Sequence, residues 1–160
     1  MATATRLLQW NANGLRTHVN ELKNFLASCD PPMDILCLEE TFLKTEQRFN
    51  LPGYQIVRKD RTTSTKGGLI IAIREGISYT QVNITTADEL EQQAVRIKTQ
   101  HGNMVIINCY MVPDKPAAKS EIEKLFLAET TIITGDFNAK NQLWGSPDVS
   151  TTPATSSSNC

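Results

Sequence analysis

Histidine is scarce here: among 160 residues there are two, His18 and His101, and they lie far apart in sequence. The four cysteines, Cys29, Cys37, Cys109 and Cys160, show no C-x-x-C spacing, and Cys37 and Cys109 sit inside apolar runs. This argues against a zinc site or a disulfide framework and for buried free thiols. No apolar run approaches the ~20 residues of a membrane span, and the first residues carry no apolar stretch of signal-peptide length. No membrane partner is expected; the reading is a soluble intracellular protein, nuclear or cytoplasmic and not secreted. Charge of one sign is also missing, with 16 Lys and Arg against 17 Asp and Glu and a net charge of −1. Any site for a polyanion must therefore be local. Aromatic residues make up 6% of the chain, and none stands out as a groove-inserting side chain. The length fits a single domain that buries roughly 68–70% of its unfolded surface.

What is present is a repeated placement of polar residues where apolar runs stop. Gly135-Asp136-Phe137-Asn138-Ala139 follows Thr131-Ile132-Ile133-Thr134, Trp10-Asn11-Ala12-Asn13-Gly14 follows Leu7-Leu8, and Glu39-Glu40-Thr41 follows Ile35-Leu36-Cys37-Leu38. Three strand ends thus deliver Asn, Glu and Asp. Residues 6–10 read as a strand, 17–28 as a helix with Val19, Leu22, Phe25 and Leu26 on one face, and 35–38 as a second strand. A right-handed β-α-β unit makes that pair parallel and brings Asn11 beside Glu40. From residue 54 to residue 110 the pattern becomes an antiparallel meander, 54–58, 68–73, 79–84, 93–99 and 104–110, with a hairpin turn at 100–103. A second helix over 120–129, with Ile122, Leu125 and Phe126 at helical spacing, precedes a strand over 131–134. After Trp144-Gly145-Ser146 the composition turns to Ser, Thr and Pro, so the domain is placed at 1–146 and a disordered tail at 147–160.

These residue types suit phosphoester chemistry. Glu40 offers a hard carboxylate oxygen to Mg²⁺, a cation that keeps several waters and uses one or two protein carboxylates. Its neighbour Glu39 is expected to point the other way. Asp136 can align or deprotonate a water, Asn138 can donate its amide N–H to a phosphoryl oxygen, and Asn11 and Asn13 can orient carboxylates without adding charge. Tyr110 ends an apolar strand and can hold a phosphate through its hydroxyl. Each has a plainer alternative: a solvated turn at Glu39-Glu40, an Asx-turn at Asp136, an amphipathic strand end at Tyr110. Arg58, Lys59, Arg61 and Lys66 cluster in a turn beside Gly67-Gly68 and are candidate DNA contacts, against the alternative of a solvated hairpin loop.

In these motifs the sequence resembles the endonuclease/exonuclease/phosphatase superfamily, with the deoxyribonuclease I-like fold, and more narrowly the endonuclease domain of jockey-type non-LTR retrotransposons. The matching segments are Trp10-Asn11-x-Asn13-Gly14-Leu15, Leu38-Glu39-Glu40-Thr41, Gly67-Gly68-Leu69-Ile70-Ile71-Ala72-Ile73, the strand-ending Tyr110 and Gly135-Asp136-Phe137-Asn138-Ala139-Lys140, followed by Leu143-Trp144-Gly145-Ser146. The resemblance implies an α/β fold of two face-to-face β-sheets with outer helices, a four-layer sandwich. It also implies a DNA partner and a catalytic set of Asn11, Glu40, Tyr110, Asp136 and Asn138. Mg²⁺, or Mn²⁺, would sit on Glu40 and Asn11. Relatives continue for several strands, with a late Asp and a terminal Ser-Asp-His that this chain lacks. Asn141 stands where jockey-type elements often carry a non-catalytic His.

The expectation is therefore a partial sandwich whose second sheet is incomplete and whose first sheet is partly bare. That predicts aggregation, another chain covering the sheet, or a shortened copy of a mobile-element gene. Loss of a positioned acid–base group costs about 10²–10⁴ in rate, so nuclease activity is expected to be impaired. The alternatives are a non-catalytic remnant with residual metal or DNA binding, a phosphomonoesterase of the same superfamily, and a β-rich interaction domain.

Overall fold

The computed structural model describes residues 4–139, apart from Thr63, Thr65, Asp114 and Pro116. The tail over 147–160, Cys160 and the Leu143-Trp144-Gly145-Ser146 stretch fall outside those residues.

Strands β1 (Leu7–Asn11) and β2 (Ile35–Glu39) run parallel across the helix α1 (Leu15–Ser28), as the β-α-β reading requires. β3 (Tyr54–Lys59) and β4 (Leu69–Arg74) form a hairpin, and β4 pairs antiparallel with β2 on its other edge. The first sheet therefore has the order β1-β2-β4-β3. β4 has a partner on each edge, so the following strand cannot pair with it. The expected single meander is accordingly divided: β5 (Tyr79–Val82), β6 (Leu90–Thr99) and β7 (Gly102–Met111) start a second sheet. The short helix α2 (Lys119–Glu123) crosses over to β8 (Thr131–Asp136), which lies parallel to β7 and completes the order β5-β6-β7-β8.

Helix α2 is shorter than the 120–129 segment expected. Of its three pattern residues only Leu125 is buried, while Phe126 is 71% exposed, so little apolar cover supports a second turn.

Side chains alternate across both sheets. Ile35, Cys37, Ile71 and Ile73 of the first sheet meet Val95, Ile97 and Ile106 of the second between the layers. On the outer face of the first sheet, Leu36, Leu38, Ile70 and Ala72 pack under Leu15 and Leu22, at the start and middle of α1. Ala94, Val105, Ile107 and Cys109 line the outer face of the second sheet beneath Leu125. Each such Leu or Ile contributes about 1.5–3 kcal/mol when fully buried. β2 and β4 are covered on both faces, which explains their unbroken apolar runs.

Among the described residues the second sheet has four strands, equal in number to the first. The first sheet is not bare, because β6 and β7 place three β-branched side chains against its inner face. Among the described residues, Phe25, Phe126 and Ile132 are the large apolar side chains that reach solvent. Cys37 and Cys109 are buried free thiols, as expected. No described helix is long and apolar enough to cross a membrane.

Candidate active site

Between the sheets the interior changes character along the strands. On β6, β7 and β8 the inward row Val95, Ile106 and Ile132 gives way to Gln93, Asn108 and Thr134, and then to Glu91, Tyr110 and Asp136. The first sheet does the same, with Leu7 and Ile35, then Gln9 and Cys37, then Asn11 and Glu39. The polar end is where β1, β2 and β8 terminate, so the parallel topology of both crossovers assembles it.

At its centre the Asn11 amide bridges two carboxylates. Its Nδ2 donates to Glu40 Oε1 at 3.1 Å and to Asp136 Oδ2 at 2.8 Å, joining residues 125 positions apart. Asn11 Oδ1 accepts the Asn13 backbone N–H, which fixes the orientation of the amide. Asp136 Oδ1 accepts the Asn138 N–H at 2.9 Å, and Asn138 Nδ2 donates to the Met111 carbonyl at 2.7 Å. The Tyr110 hydroxyl faces Glu40; burial first, then the interaction with Glu40 and the nearby carboxylates, hold its phenol well above the usual range. The five expected residues, Asn11, Glu40, Tyr110, Asp136 and Asn138, are therefore brought together.

Local backbone makes this possible. The four non-glycine residues with positive φ among the described residues, Asn13, Glu40, Phe42 and Asn138, all lie in this region. The left-handed turn at Glu40 (φ 48°) sends Glu39 inward and Glu40 to the site, as expected of that pair. Such conformations cost of order 1–3 kcal/mol each and persist only where surroundings fix them. Here Ala12, Gly14 and Leu15 donate their N–H groups to the carbonyls of Glu39, Glu40 and Thr41, strapping the β1–α1 turn to the end of β2.

The donor set fits a hard cation. Two carboxylates converge with only neutral donors, Asn11 and Tyr110, between them. Among the described residues there is no group of three or more His, Cys, Asp or Glu that would enclose a metal. An ion bound by one carboxylate and completing its shell with water, as Mg²⁺ does, matches that sparse supply. Glu40 is the residue suited to hold it. Asn11 turns its amide nitrogen to the carboxylates and its oxygen to the Asn13 N–H, so in this arrangement it orients the two carboxylates.

Glu39 is fully buried below the centre. Gln9 Nε2 donates to its Oε2 at 2.7 Å, while Oε1 has no partner. Burial, reinforced by Asp136 and Glu40, pushes the Glu39 carboxyl up to about 8. The folded chain therefore holds a proton that the unfolded chain releases near 4.3, and stability falls as pH rises between those values by about 1.4 kcal/mol per unit. Glu39→Gln is expected to raise Tm more at about pH 8.5 than at about pH 6 in EDTA. An equal gain at both would mean Glu39 does not titrate in that window.

Two further residues escaped the sequence analysis. Glu91 Oε2 accepts the Gly68 N–H at 2.9 Å, and Oε1 pairs with Arg61 at 2.9 Å. Gly67 and Gly68 in turn accept the N–H groups of Phe42 and Thr41 through their carbonyls, so Glu91 anchors the segment that turns at Glu40. A Cβ on Gly67 would lie 2.5 Å from Glu91 Oε1 and one on Gly68 2.8 Å from Thr41 Oγ1, and both residues have positive φ, which accounts for the paired glycines. Asn108 donates from Nδ2 to the Leu38 and Ile70 carbonyls, tying the second sheet to the first just beneath the centre. Both had a signal: Asn108 interrupts the inward row Met104, Ile106 and Tyr110 of β7, and Glu91 and Gln93 continue the inward row that begins with Ile97 and Val95 of β6.

The basic cluster divides. Arg58 is spent on Asp60 and on the Gln47 and Lys44 carbonyls, and Lys59 Nζ donates to the Gln92 carbonyl between the sheets. Arg61 pairs with Glu91. Lys59 and Lys66 are the exposed members of the four, and of these two only Lys59 has its ammonium on a carbonyl oxygen of the fold among the described residues. His18 sits on α1 beside Glu21 and Trp10, and His101 occupies the β6–β7 turn, so neither imidazole belongs to the centre.

Residues 8–157 match the sequence profile of the Endonuclease/Exonuclease/phosphatase family. The chain belongs to this family. Among curated family relatives it is 27% identical over 141 residues to the RNA-directed DNA polymerase from mobile element jockey of Drosophila melanogaster, covering 86% of this chain and 15% of that protein. It is 26% identical over 144 residues to the probable RNA-directed DNA polymerase from transposon X-element of the same organism, covering 88% of this chain. The chain thus spans about 15% of the length of these curated relatives. Among solved structures, the endonuclease domain of TRAS1, a telomere-specific non-LTR retrotransposon, superposes with a TM-score of 0.68 at 22% identity, covering 91% of this chain and 66% of that one. The 3′ phosphatase NExo from Neisseria, bound to a product DNA hairpin, gives 0.58 at 21% identity and 84% and 58% coverage. The structural likenesses show the family's α/β fold of two packed sheets.

Proposed function

We propose that this chain carries the metal and nucleophile side of a Mg²⁺-dependent DNA endonuclease of the retrotransposon type. One observation carries the proposal: a single amide, that of Asn11, holds Glu40 and Asp136 together at the ends of three strands. Kinship with mobile-element polymerases and the TRAS1 endonuclease domain supports DNA as the substrate class.

When bound at Glu40, Mg²⁺ would supply charge stabilisation to a phosphoryl oxygen. Asp136, steadied by Asn11 and the Asn138 backbone N–H, orients a water in line with the P–O bond and receives its proton. Asn138 positions that carboxylate, and its own amide, now bonded to the Met111 carbonyl, would turn to reach a phosphoryl oxygen. Tyr110 offers a neutral O–H donor whose raised pKa keeps it protonated at neutral pH. The attack forms one P–O bond and breaks another, leaving a phosphate terminus and a hydroxyl on the departing sugar.

Protonation of that departing oxygen has no imidazole to draw on within the described centre. Turnover by this chain alone is therefore proposed to be slow, and the same observation favours a second reading, a non-catalytic chain that retains metal or DNA binding.

Supercoiled-plasmid nicking separates them. Nicking that needs Mg²⁺, stops in EDTA and disappears in Glu40→Ala is the expected result. No nicking by folded protein, with Mg²⁺ raising Tm of the unaltered chain but not of Glu40→Ala, would establish the second reading.

A further inference from the structure

A groove of about 430 Å³ leads away from the centre on the Tyr110 side. Its walls are the β3–β4 and β7–α2 loops, and its lining includes Glu40 and Tyr110 at the inner end and Arg61, Lys66 and Lys115 along its length. Lys115 lies in a part of the sequence that carries no motif. We propose that this groove seats the phosphate backbone of one DNA strand next to the reacting phosphate, with Lys66 and Lys115 as its cationic contacts. The proposal rests on the nuclease reading and names where that substrate lies.

The charge arithmetic selects these two lysines. Arg58 and Lys59 are bound to carboxylate or carbonyl oxygens within the fold, and Arg61 is matched by Glu91. Lys66 and Lys115 are exposed, and neither ammonium joins an ion pair among the described residues. The net positive charge of the groove therefore comes from two loops on opposite sides. Both loops are fixed near these lysines: Gly68 N–H is held by Glu91, the Gly67 and Gly68 carbonyls by Phe42 and Thr41, and the Lys115 N–H by the Val112 carbonyl. A flexible ammonium with three donors suits a phosphate whatever the base attached to it, so the contact is independent of sequence. At the inner end the Glu40 and Asp136 carboxylates repel phosphate in the absence of a cation, so the lysines hold the strand beyond the centre and not on it.

A second groove, of about 450 Å³, shares Arg61 and Lys66 and adds Lys44 and Glu46, but neither Glu40 nor Tyr110 lines it, so it does not open onto the centre. The one between β1 and α1 is lined by Leu8, Trp10, Leu22 and Phe25, and the largest lies at the opposite end of the sandwich around Leu7, Met104 and Ile106.

The test is fluorescence anisotropy of a labelled duplex DNA in EDTA over a range of salt concentrations. Each neutralised phosphate contributes about 0.9 to the slope of log K against log salt, so Lys66→Ala/Lys115→Ala is expected to flatten the slope by about 1.8. Lys23→Ala/Lys98→Ala, on α1 and β6 away from the groove, is expected to leave it unchanged. A double variant that melts normally yet keeps the original slope overturns the proposal, as does a control that loses the same amount. Mg²⁺-dependent nicking by the unaltered chain reports separately: if it persists while the slope does not change, the groove assignment fails and the nuclease reading stands. An unaltered chain that shows no salt-dependent DNA binding overturns the groove assignment whatever the nicking result.

Discussion

Asp136→Asn is expected to reduce Mg²⁺-dependent nicking by about 10²–10⁴-fold, the usual cost of losing a positioned proton acceptor. The fold should not suffer. Asparagine keeps the side-chain shape and a carbonyl oxygen for the Asn138 N–H; its amide nitrogen would face Asn11 Nδ2 and that bond is lost, a cost offset by removing the negative charge beside Glu39 and Glu40. Tm is therefore expected to stay the same or rise, which separates a chemical role from a structural one. Full nicking activity in Asp136→Asn would show that the hydrolytic centre lies elsewhere. A large fall in Tm would show that the carboxylate is chiefly a structural acceptor for Asn11 and Asn138.

The largest stability effect is expected at the neighbouring residue. Gly135 has φ +137° in the middle of the β7–β8 pairing, and a Cβ there would lie 1.9 Å from the Cys109 carbonyl oxygen and 2.7 Å from its carbon and nitrogen. Those are backbone atoms of a buried central strand and cannot swing aside as a flexible side chain would. Gly135→Ala must therefore separate β8 from β7 at the register position next to Tyr110 and Asp136. A destabilisation of more than about 4 kcal/mol in urea unfolding is expected, with loss of the centre. Gly53→Ala provides the comparison. Its φ is also positive, at 81°, but no atom would meet the added Cβ within 4 Å, so only about 1 kcal/mol of backbone strain is expected. If the two substitutions cost the same, the close approach of β8 to β7 is not what requires glycine at 135.

The clustering of positive-φ residues has a functional implication that the two substitutions probe from different sides. Asn13, Glu40, Phe42 and Asn138 follow the ends of β1, β2 and β8, where the chain must turn sharply to aim one side chain outward and the next inward. The strain is held by backbone hydrogen bonds between those turns, together with the Glu91 anchor on Gly68. Asp136→Asn leaves that backbone framework intact and alters the charge and the side-chain bond to Asn11, whereas Gly135→Ala breaks the framework and leaves the charges in place.

What the sequence determined by itself was whatever depends on local pattern. β2 and β4 are apolar on both sides, and α1 carries one apolar face, so the β-α-β start, the parallel β1–β2 pair and the meeting of Asn11 with Glu40 followed from alternation, helical spacing and the handedness of crossovers. The motif ends at Asn11, Glu40, Tyr110, Asp136 and Asn138 were legible for the same reason, since each polar residue interrupts an apolar run. Only the tertiary structure decided how the strands after residue 54 divide between two sheets, because that depends on β4 giving its second edge to β2 of the β-α-β unit and not to β5. It also decided that Asn11 offers its amide nitrogen and not its oxygen, that Arg58 and Lys59 are internal ties, and that Glu91 and Asn108 support the centre. These are choices of hydrogen-bond partner across the two sheets, and no residue's own neighbours in sequence fix which distant carbonyl or carboxylate will face it once the layers close.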